Sequence, residues 1–583
     1  MSTVVHVTHE AVQKVGGIGA VLDGLITAKA YNKEIGRTIL LGPLFSTEGP
    51  ASERLGPEGE VLYSSIDGIS ESPYAELFRK VAQEFNVGLV YGRRRFENRE
   101  QGIVVHPEVV LLEVSRAVRN RIDRFKGQLY GRFGLESNRY ESIWDYEQYL
   151  RIAEPGYEVL KGILSDQGDF PCFLISHEFM GMGTVLKAIL EGDARFKTVF
   201  YAHEVATMRP LVEDSLGHDT MFYNVLETAT AEGQYIEDTF GPQDGFFKHA
   251  LVGRARYCDN LFAVGDYVVK ELRFMGPEYK DTNIDLVYNG IPAFEISLEE
   301  KQTSKERLQR YAENLLGYRP DFVFTHVTRL VISKGLWRDF KVLKHLDEQF
   351  SSERRTGVLF ILSTQGGPKS PQDVLQIEKE YGWPVEHRDG YPDLVHDERF
   401  FNLALQDYNR ASKAIKAVFV NQFGWDRERL GMRAPEDMEF MEIRKGSDVE
   451  FVQSIYEPFG IAQLEPLSFG ALCVISNVCG CYGFVHEVTE GEGMGSVIVA
   501  DYTQLDSVRR SLSGLLTIGM EDRDQIEAQN SKEVAEQIHK MLPRSDEEVE
   551  RMIEAGYRMA SKMSWEVVAE DYFLPGLKRS LQK

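Results

Sequence analysis

Short runs of β-branched and aromatic residues recur along this chain, each separated from the next by a segment of helix length. Runs beginning at Thr3 (TVVHV), Arg37 (RTILLG), Gly88 (GLVYG), Pro171 (PCFLISH), Lys197 (KTVFYAH) and Asn260 (NLFAVG) form a first group. Runs at Asp321 (DFVFTHVT), Gly357 (GVLFILST), Lys416 (KAVFVN) and Ala471 (ALCVIS) form a second. Strands alternating with helices in this way build parallel sheets covered by helices on both faces. A chain of 583 residues is too long for a single core, and the strand count suits two doubly wound α/β units better than one. The boundary is expected after DLVYNGIP, Asp285 to Pro292, where Asn-Gly ahead of Pro is turn chemistry suited to a hinge. Two stretches fit the alternation poorly and read as insertions, 93–157 and 366–413. Near the end, Ser545 and Glu548 have the spacing of a capping box ahead of an apolar stripe at helical spacing.

Composition excludes several classes of partner. A formal charge of −24 argues against nucleic acid or an anionic membrane, either of which needs a broad basic face. Any basic ligands for an anionic substrate must then be local exceptions. Five cysteines in so long a chain make no disulfide framework, and Cys479 and Cys481 have no second Cys/His pair at zinc spacing. No secretory leader and no membrane-length apolar run is visible, so a reducing cytoplasm is the expected setting. Nothing in the sequence fixes an oligomeric state, and an oligomer is possible.

Three stretches carry candidate chemistry. The first is THEAVQKVGGIGAVLDGL, Thr8 to Leu25, a strand-to-helix turn with Lys14, Gly16 and Gly17. Free backbone N–H groups, the positive end of a helix, glycines without a Cβ and a lysine together make an anion site, best suited to a phosphate. The glycines lack the dinucleotide-fingerprint spacing, and the lysine precedes rather than follows them as it would in a P-loop. By itself such a turn serves structure as readily as binding. The second stretch is HVTRLVISKG, where Arg329 and Lys334 bracket a strand-end loop and could converge on one anion or remain solvated charges. The third is SIYEPFGIAQLEPLSFGALCVISNVCGCYGFVHE, from Ser454 to Glu487. Pro458 and Gly460 pin Glu457 in a turn, Gly460 and Ile461 are expected to open a helix with free N–H groups, and Glu465 is expected a turn or two inside that helix.

These pieces together resemble the glycogen and starch synthases and the wider retaining nucleotide-sugar glycosyltransferases of the GT-B type. The family's Lys-x-Gly-Gly is matched by Lys14, Gly16 and Gly17, and its Arg, four residues, Lys-Gly by Arg329, Lys334 and Gly335. Its Glu-Pro-x-Gly with a second Glu eight positions on is matched by Glu457, Pro458, Gly460 and Glu465. SHEF (His177, Glu178), YAHE (His203) and VYNGI (Asn289) look like further family elements, and SWEVVAEDY from Ser564 resembles its C-terminal crossover helix. The matches run in the family's order from residue 4 to about 575. Departures are Phe179 for the usual Trp, Asp266 where Ser is common, and NVCGCYGFV in place of a Gly-Gly loop. No dense arginine helix of the kind that senses sugar phosphate in eukaryotic glycogen synthases is visible.

The resemblance implies two doubly wound Rossmann-like domains facing across a cleft. These would be an acceptor-side domain over 1–290, a donor domain over 291–563 and a crossover helix over 564–583. It implies transfer of glucose from ADP- or UDP-glucose to the non-reducing end of an α-1,4-glucan with retention; the alternative is another sugar nucleotide or a small acceptor. Arg329 and Lys334 would neutralise the leaving diphosphate, helped by Lys14, Gly16, Gly17, Gly460 and Ile461. Glu457 would face the transferred sugar and Glu465 the nucleotide ribose. His203 would lie at the reaction centre, with His177, Glu178 and Asn289 in the sugar and acceptor region. No cofactor and no metal ion is required in this scheme. A non-catalytic carbohydrate-binding relative and a sugar-nucleotide epimerase are competing classes; the filled cationic and carboxylate positions oppose the first, and the Glu457/Glu465 spacing has no use in the second.

Overall fold

The computed structural model describes residues 2–13, 16–99, 101–165, 167–489, 495–505 and 510–582. The chain forms two compact units. The first comprises Met1–Met208, Ala229–Gly290 and Trp565–Lys583, and the second Arg209–Thr228 and Ile291–Ser564. The second unit therefore includes a twenty-residue stretch drawn from within the first half of the sequence.

The first unit is built on strands β1 (Ser2–Val7), β2 (Ile35–Pro43), β3 (Glu60–Ser64), β4 (Ile69–Ser70) and β5 (Gly88–Arg93). A separate two-stranded ribbon follows, β6 (Phe96–Asn98) and β7 (Ile103–Val105). Then come β8 (Glu108–Glu113), β9 (Cys172–His177), β10 (Phe196–Ala202), β11 (Asn260–Ala263) and β12 (Ile284–Leu286). The large sheet has the order β12-β11-β10-β9-β1-β2-β8-β5-β3-β4. From β12 to β8 every pair is parallel, and beyond β8 the pairs are antiparallel. Gly88–Arg93 is thus an antiparallel extension and not a member of the parallel core. The chain order reverses beside β1, which pairs with β2 on one side and β9 on the other.

Residues 565–579 complete this unit. The Trp565 ring occupies the space a Cβ would need at Gly24 (2.2 Å) and at Gly290 (2.6 Å). The Glu566 carboxylate accepts the N–H groups of Lys29 and Ala30 at 2.7 and 2.8 Å, closing the N-terminus of the helix Lys29–Glu34. Phe573 packs on His6, Tyr31 and Phe262.

The second unit carries β13 (Phe322–Val327), β14 (Gly357–Leu362), β15 (Ile415–Val420), β16 (Val449–Val452), β17 (Leu472–Ser476) and β18 (Val497–Ala500). Their order is β15-β14-β13-β16-β17-β18, all parallel, which is the Rossmann strand order. Alternation along the strands divides the core in two. Phe322, Phe324, Leu359, Ile361 and Phe419 join one cluster, while Val323, Val358, Phe360, Val418 and Val420 join another. A sheet with apolar residues on both faces must be covered on both, which is why its strands read as continuous hydrophobic runs.

One local expectation is corrected. Ser545 is the N-cap residue of the helix Asp546–Lys562, but its side chain makes no cap bond. Glu548 instead accepts the N–H of Arg544 at 2.6 Å. All five cysteines are buried and unbridged.

Candidate active site

In an open parallel sheet, ligands bind outside the carboxyl ends of the strands where the strand order reverses. In the second unit that point lies between β13 and β16, and the loops leaving these two strands carry Lys334 and Glu457. Their backbones are laced together. The Ser333 carbonyl accepts the N–H groups of Ile455 (2.8 Å) and Tyr456 (3.3 Å). Gly335 adopts φ +61°, and a Cβ there would lie 2.4 Å from the Gln453 carbonyl oxygen, so only glycine allows this approach. On this frame Lys334 Nζ and Glu457 Oε2 form an ion pair, and Gln463 Nε2 donates to the same oxygen at 2.7 Å. The Arg329 side chain is exposed and takes no hydrogen bond or ion pair among the described residues, while its carbonyl accepts the Val331 N–H at 2.9 Å. Lys334 and Glu457 are therefore brought together, while Arg329 stands apart, uncommitted.

One neighbour was absent from the sequence reading. Arg209 lies with its guanidinium 4.8 Å from the centre of the Tyr456 ring and Nη1 3.4 Å from Ser333 Oγ, so it braces both loops. No motif marks it; it comes from the segment 209–228. Gln463, six positions beyond Glu457, was also missed, being one polar residue among many.

The stretch beyond Glu457 departs from expectation. Gly460, at φ +94°, caps a helix of only four residues, Ile461–Leu464, and both Gly460 and Ile461 are half-buried. Glu465 then opens a 3₁₀ turn, Glu465–Phe469, instead of sitting inside a continuous helix. Pro466 lacks an N–H and breaks the α ladder, and Gly470 in the left-handed region closes the turn. The Glu465 carboxylate takes an ion pair from Arg444 at 3.3 Å, and Arg444 also binds the buried Glu450 at 3.0 Å. Glu465 is thus tied back to the protein, with 29% of its side chain still exposed.

The unusual NVCGCYGFV loop has a steric explanation. The Gly480 N–H donates to the Glu457 carbonyl at 2.9 Å, and that of Cys481 to the Phe459 carbonyl at 2.9 Å. A Cβ at Gly480 would lie 1.7 Å from the Pro458 oxygen. The loop is a buttress for the Glu457 turn. Gly480→Ala is expected to cost about 1–3 kcal/mol, the usual range for overpacking, seen as a lowered urea midpoint. A wild-type midpoint would show that the turn closes without the glycine.

In the first unit, the loops leaving β1, β9 and β10 meet at the same kind of reversal. Lys14 lies outside the described residues. Gly16 is the N-cap of the helix Gly17–Ile26, and a Cβ at Gly17 would meet nothing within 4 Å. The helix start already holds an anion. Glu10, 1% exposed, accepts the Gly19 N–H at 2.8 Å, and its carboxylate lies 3.1 Å from where a Gly16 Cβ would stand. The expected cradle of free N–H groups is to that extent occupied, by a residue the sequence reading did not single out.

His177 ends β9 and His203 follows β10. His177 Nδ1 and His203 Nε2 lie 2.8 Å apart, and His177 Nε2 lies 2.8 Å from His6 Nδ1 in β1. Burial pushes the pKa of His6 and of His203 down to about 3, and burial with its histidine neighbours takes His177 well below its ordinary value. The folded chain then binds fewer protons here than the unfolded chain, whose histidines titrate near 6.5. Stability from this cluster is whole above pH 6.5 and is lost as pH falls toward about 3. Calorimetric unfolding at mildly acid pH in buffers of different ionisation heat should report proton uptake, reduced in His203→Gln. Equal uptake in the two proteins would contradict a neutral cluster.

Glu178 holds φ +57° in a 3₁₀ turn, and its Oε1 accepts the Glu204 N–H at 2.6 Å. Burial, and next the Glu204 charge, raise its pKa well above the carboxylate range. Its Oε2 is buried without a hydrogen-bond partner among the described residues, as is Asn289 Oδ1. Phe179 packs edge-on against Tyr149 and Phe247, and Asp266 accepts the Tyr288 hydroxyl at 2.9 Å. Among the described residues no group of three or more His, Cys, Asp or Glu could hold a metal ion, and no helix is long and apolar enough to cross a membrane.

No protein-family model matches the chain, and no curated protein matches its sequence. Solved structures do match. The catalytic domain of Starch Synthase IV from Arabidopsis thaliana, bound to ADP and acarbose, aligns over 100% of this chain and 99% of its own, with 14% identity and a TM-score of 0.53. The apo structure of OtsA aligns over 99% of each chain with 13% identity and a TM-score of 0.51. The N-terminal domain of Candida albicans trehalose-6-phosphate phosphatase aligns over 99% of this chain and 97% of its own, with 10% identity and a TM-score of 0.51. At these identities the likeness is one of fold. With two α/β sheets, one mixed and one all parallel, each reversing its strand order beside the candidate residues, the chain has the GT-B fold.

Proposed function

We propose that this protein is a retaining glycosyltransferase that uses a sugar nucleotide, and that it moves glucose from ADP- or UDP-glucose to the non-reducing end of an α-1,4-glucan. The observation that carries the proposal is the Lys334–Glu457 ion pair at the strand-order reversal of the second sheet, with Arg329 uncommitted nearby in sequence. Without ligand, Lys334 and Glu457 neutralise one another. A diphosphate competes for the lysine, and the freed carboxylate becomes available to hydroxyls of the transferred sugar. Lys334 and Arg329 then face the charge that grows on the leaving phosphate as the glycosidic bond breaks. Fixed donors aimed at such charge contribute about 3 kcal/mol each in a closed site.

In this reading Gly460 and Ile461 line the donor side, and the exposed edge of Glu465 serves the ribose. Lys14, Gly16 and Gly17 are further phosphate ligands, and His177, Glu178 and Asn289 with His203 form the sugar and acceptor side. The acceptor hydroxyl attacks the face the diphosphate leaves, so configuration is retained. The cations carry the leaving-group charge, and no metal ion enters the scheme. A double displacement needs a second carboxylate at the anomeric carbon, and Glu465 is engaged by Arg444.

A second reading, transfer to a small sugar acceptor, draws support from the fold-level likeness to the E. coli trehalose-6-phosphate structure bound with UDP-2-fluoro glucose, which aligns over 99% of each chain with 13% identity and a TM-score of 0.50. Incubation with radiolabelled ADP-glucose and UDP-glucose, with glycogen or with glucose-6-phosphate, tests both. Label in polymer supports the first reading and label in a small product the second. No transfer from either donor to either acceptor would sink the proposal.

A further inference from the structure

The first unit holds a cavity of about 980 Å³ that no described residue of the candidate active site lines. It opens at the carboxyl ends of β2, β8 and β3, the rim on which α/β sheets bind their ligands. Its walls are the hairpin β3–β4, the helix Ala75–Phe85, the segments that follow β2 and β8, and the start of the helix Trp144–Ile163. Buried arginines hold these walls in place. Arg54 donates to the carbonyls of Ser46 (3.3 Å), Thr47 (2.7 Å), Glu48 (2.6 Å) and Gly49 (3.2 Å), and to the Asp67 carboxylate at 3.1 and 3.3 Å. One guanidinium thereby ties the loop after β2 to the turn of the hairpin. Arg151, half-buried, donates to the Ser115 carbonyl at 3.2 Å, pairs with Glu147 at 3.0 Å and lies 5.4 Å from the centre of the Trp144 ring. Asn86 Nδ2 donates to the Arg116 carbonyl at 2.6 Å.

Within this frame several polar side chains have no partner. Tyr63 is 4% exposed and Gln148 is 7% exposed, and neither the phenol hydroxyl nor the carboxamide makes a hydrogen bond among the described residues. Their polar atoms remain accessible and both residues line the cavity, so both groups open into it. Buried polar groups are nearly always satisfied. A pair left open toward one space points to a ligand that satisfies them. Arg79 and Arg116 line the same cavity, and their exposed guanidinium groups make no hydrogen bond or ion pair among the described residues. In a chain of formal charge −24, two uncommitted arginines on one cavity are a local exception. The one carboxylate among the described lining residues, that of Glu113, is engaged by the Ser115 N–H at 2.8 Å.

We propose that this cavity is a second binding site, for a small organic phosphate: a phosphomonoester carried on a ring that bears hydrogen-bonding groups, as in a sugar phosphate or a nucleotide. Arg79 and Arg116 take the phosphoryl oxygens, because a guanidinium meets phosphate with parallel N–H donors. Gln148 and Tyr63 read the ring. A carboxamide both donates and accepts, and a phenol hydroxyl does either, which suits sugar hydroxyls and base edges alike. The exposed rings of Trp144 and Phe45 supply apolar faces on which the ligand's ring can lie. The volume is at the upper end of the range of about 300–1,000 Å³ usual for small-molecule sites. None of these residues serves the transferase scheme, so the site stands or falls apart from that reading.

The test titrates the intact chain by calorimetry with glucose 6-phosphate, AMP and inorganic phosphate. At least one of the two organic phosphates is expected to bind saturably and more tightly than inorganic phosphate. Its affinity should fall about tenfold or more in Arg79→Ala and in Arg116→Ala, and should survive in Lys334→Ala, which disables the candidate active site. Tighter binding of glucose 6-phosphate identifies the ligand as a sugar phosphate, and tighter binding of AMP as a nucleotide. Gln148→Leu supplies a readout that a merely structural role would not give. Because the carboxamide has no partner in the free protein, its loss should leave the urea midpoint unchanged or raised, while affinity for the organic phosphate falls toward that for inorganic phosphate. Failure of both organic phosphates to bind overturns the proposal. So does binding indifferent to both arginines, or inorganic phosphate binding as tightly as the better organic ligand.

Discussion

Arg329→Ala is expected to lower kcat by about 10²- to 10³-fold while unfolding at the wild-type urea concentration. The side chain is solvent-exposed, and its removal breaks no hydrogen bond or ion pair among the described residues, so the folded state loses nothing that the unfolded state keeps. Whatever activity disappears belongs to a charge met only by substrate. Lys334→Ala is the informative contrast. It should lose a similar factor in kcat, but it also strands the Glu457 carboxylate, 13% exposed, with Gln463 as its remaining side-chain partner. A cost of about 1 kcal/mol in stability is expected for that loss. Steady-state rates at saturating donor, paired with urea titrations of the same preparations, separate the two effects. Wild-type turnover in either variant removes the leaving-group assignment.

The largest effect on stability is expected from Arg338→Ala. Its guanidinium is fully buried and holds Asp219 at 2.7 and 3.0 Å and Glu527 at 2.8 Å. It also donates to the Gln453 carbonyl at 3.1 Å and stacks 3.8 Å from the centre of the Tyr502 ring. Removing it leaves two carboxylates at 0% exposure. Glu527 keeps Lys341 and the Trp337 indole, but Asp219 loses both of its guanidinium bonds. Breaking a buried pair in this way costs about 3–5 kcal/mol. The loss should fall on the unfolding transition of the second unit, and Asp219→Asn added to Arg338→Met should restore part of it. A single-variant midpoint within error of the wild type would mean that the carboxylates find water or protons at no cost. Because Arg338 also holds the backbone entering the Glu457 turn, donor affinity should fall in the same variant.

Most of the strands were legible because their residues are buried on both faces. Those that escaped notice show what hides a strand. β16 reads Val-Glu-Phe-Val, and Glu450 disguises it; in the fold that carboxylate is neutralised by Arg444 and accepts the Thr325 hydroxyl. β8 was concealed inside an apparent insertion, where it is the strand that turns a parallel sheet antiparallel. At the site, Lys334 and Glu457 were legible from turn residues around a charge, and their contact is real. Arg209 was not, since nothing local to its sequence connects it with a loop more than a hundred positions away. Glu465 lies outside a continuous helix because Pro466, which has no N–H, ends the α ladder beside it. His6 did leave a trace, a polar residue in the middle of an otherwise apolar strand, but its meaning needed the partners on β9 and beyond.

The division of the chain between its units bears on how the polypeptide can be made. During synthesis, residues 209–228 emerge long before Arg338 and Glu527, the groups that neutralise Asp219. The large sheet emerges long before Trp565 and Phe573, which fill its gaps at Gly24 and beside His6. The first unit cannot be completed until the whole of the second has emerged. A fragment cut at Gly290 would carry an orphaned anion-bearing helix and an unsealed apolar face, and its complement would lack the carboxylate its arginine was placed to meet.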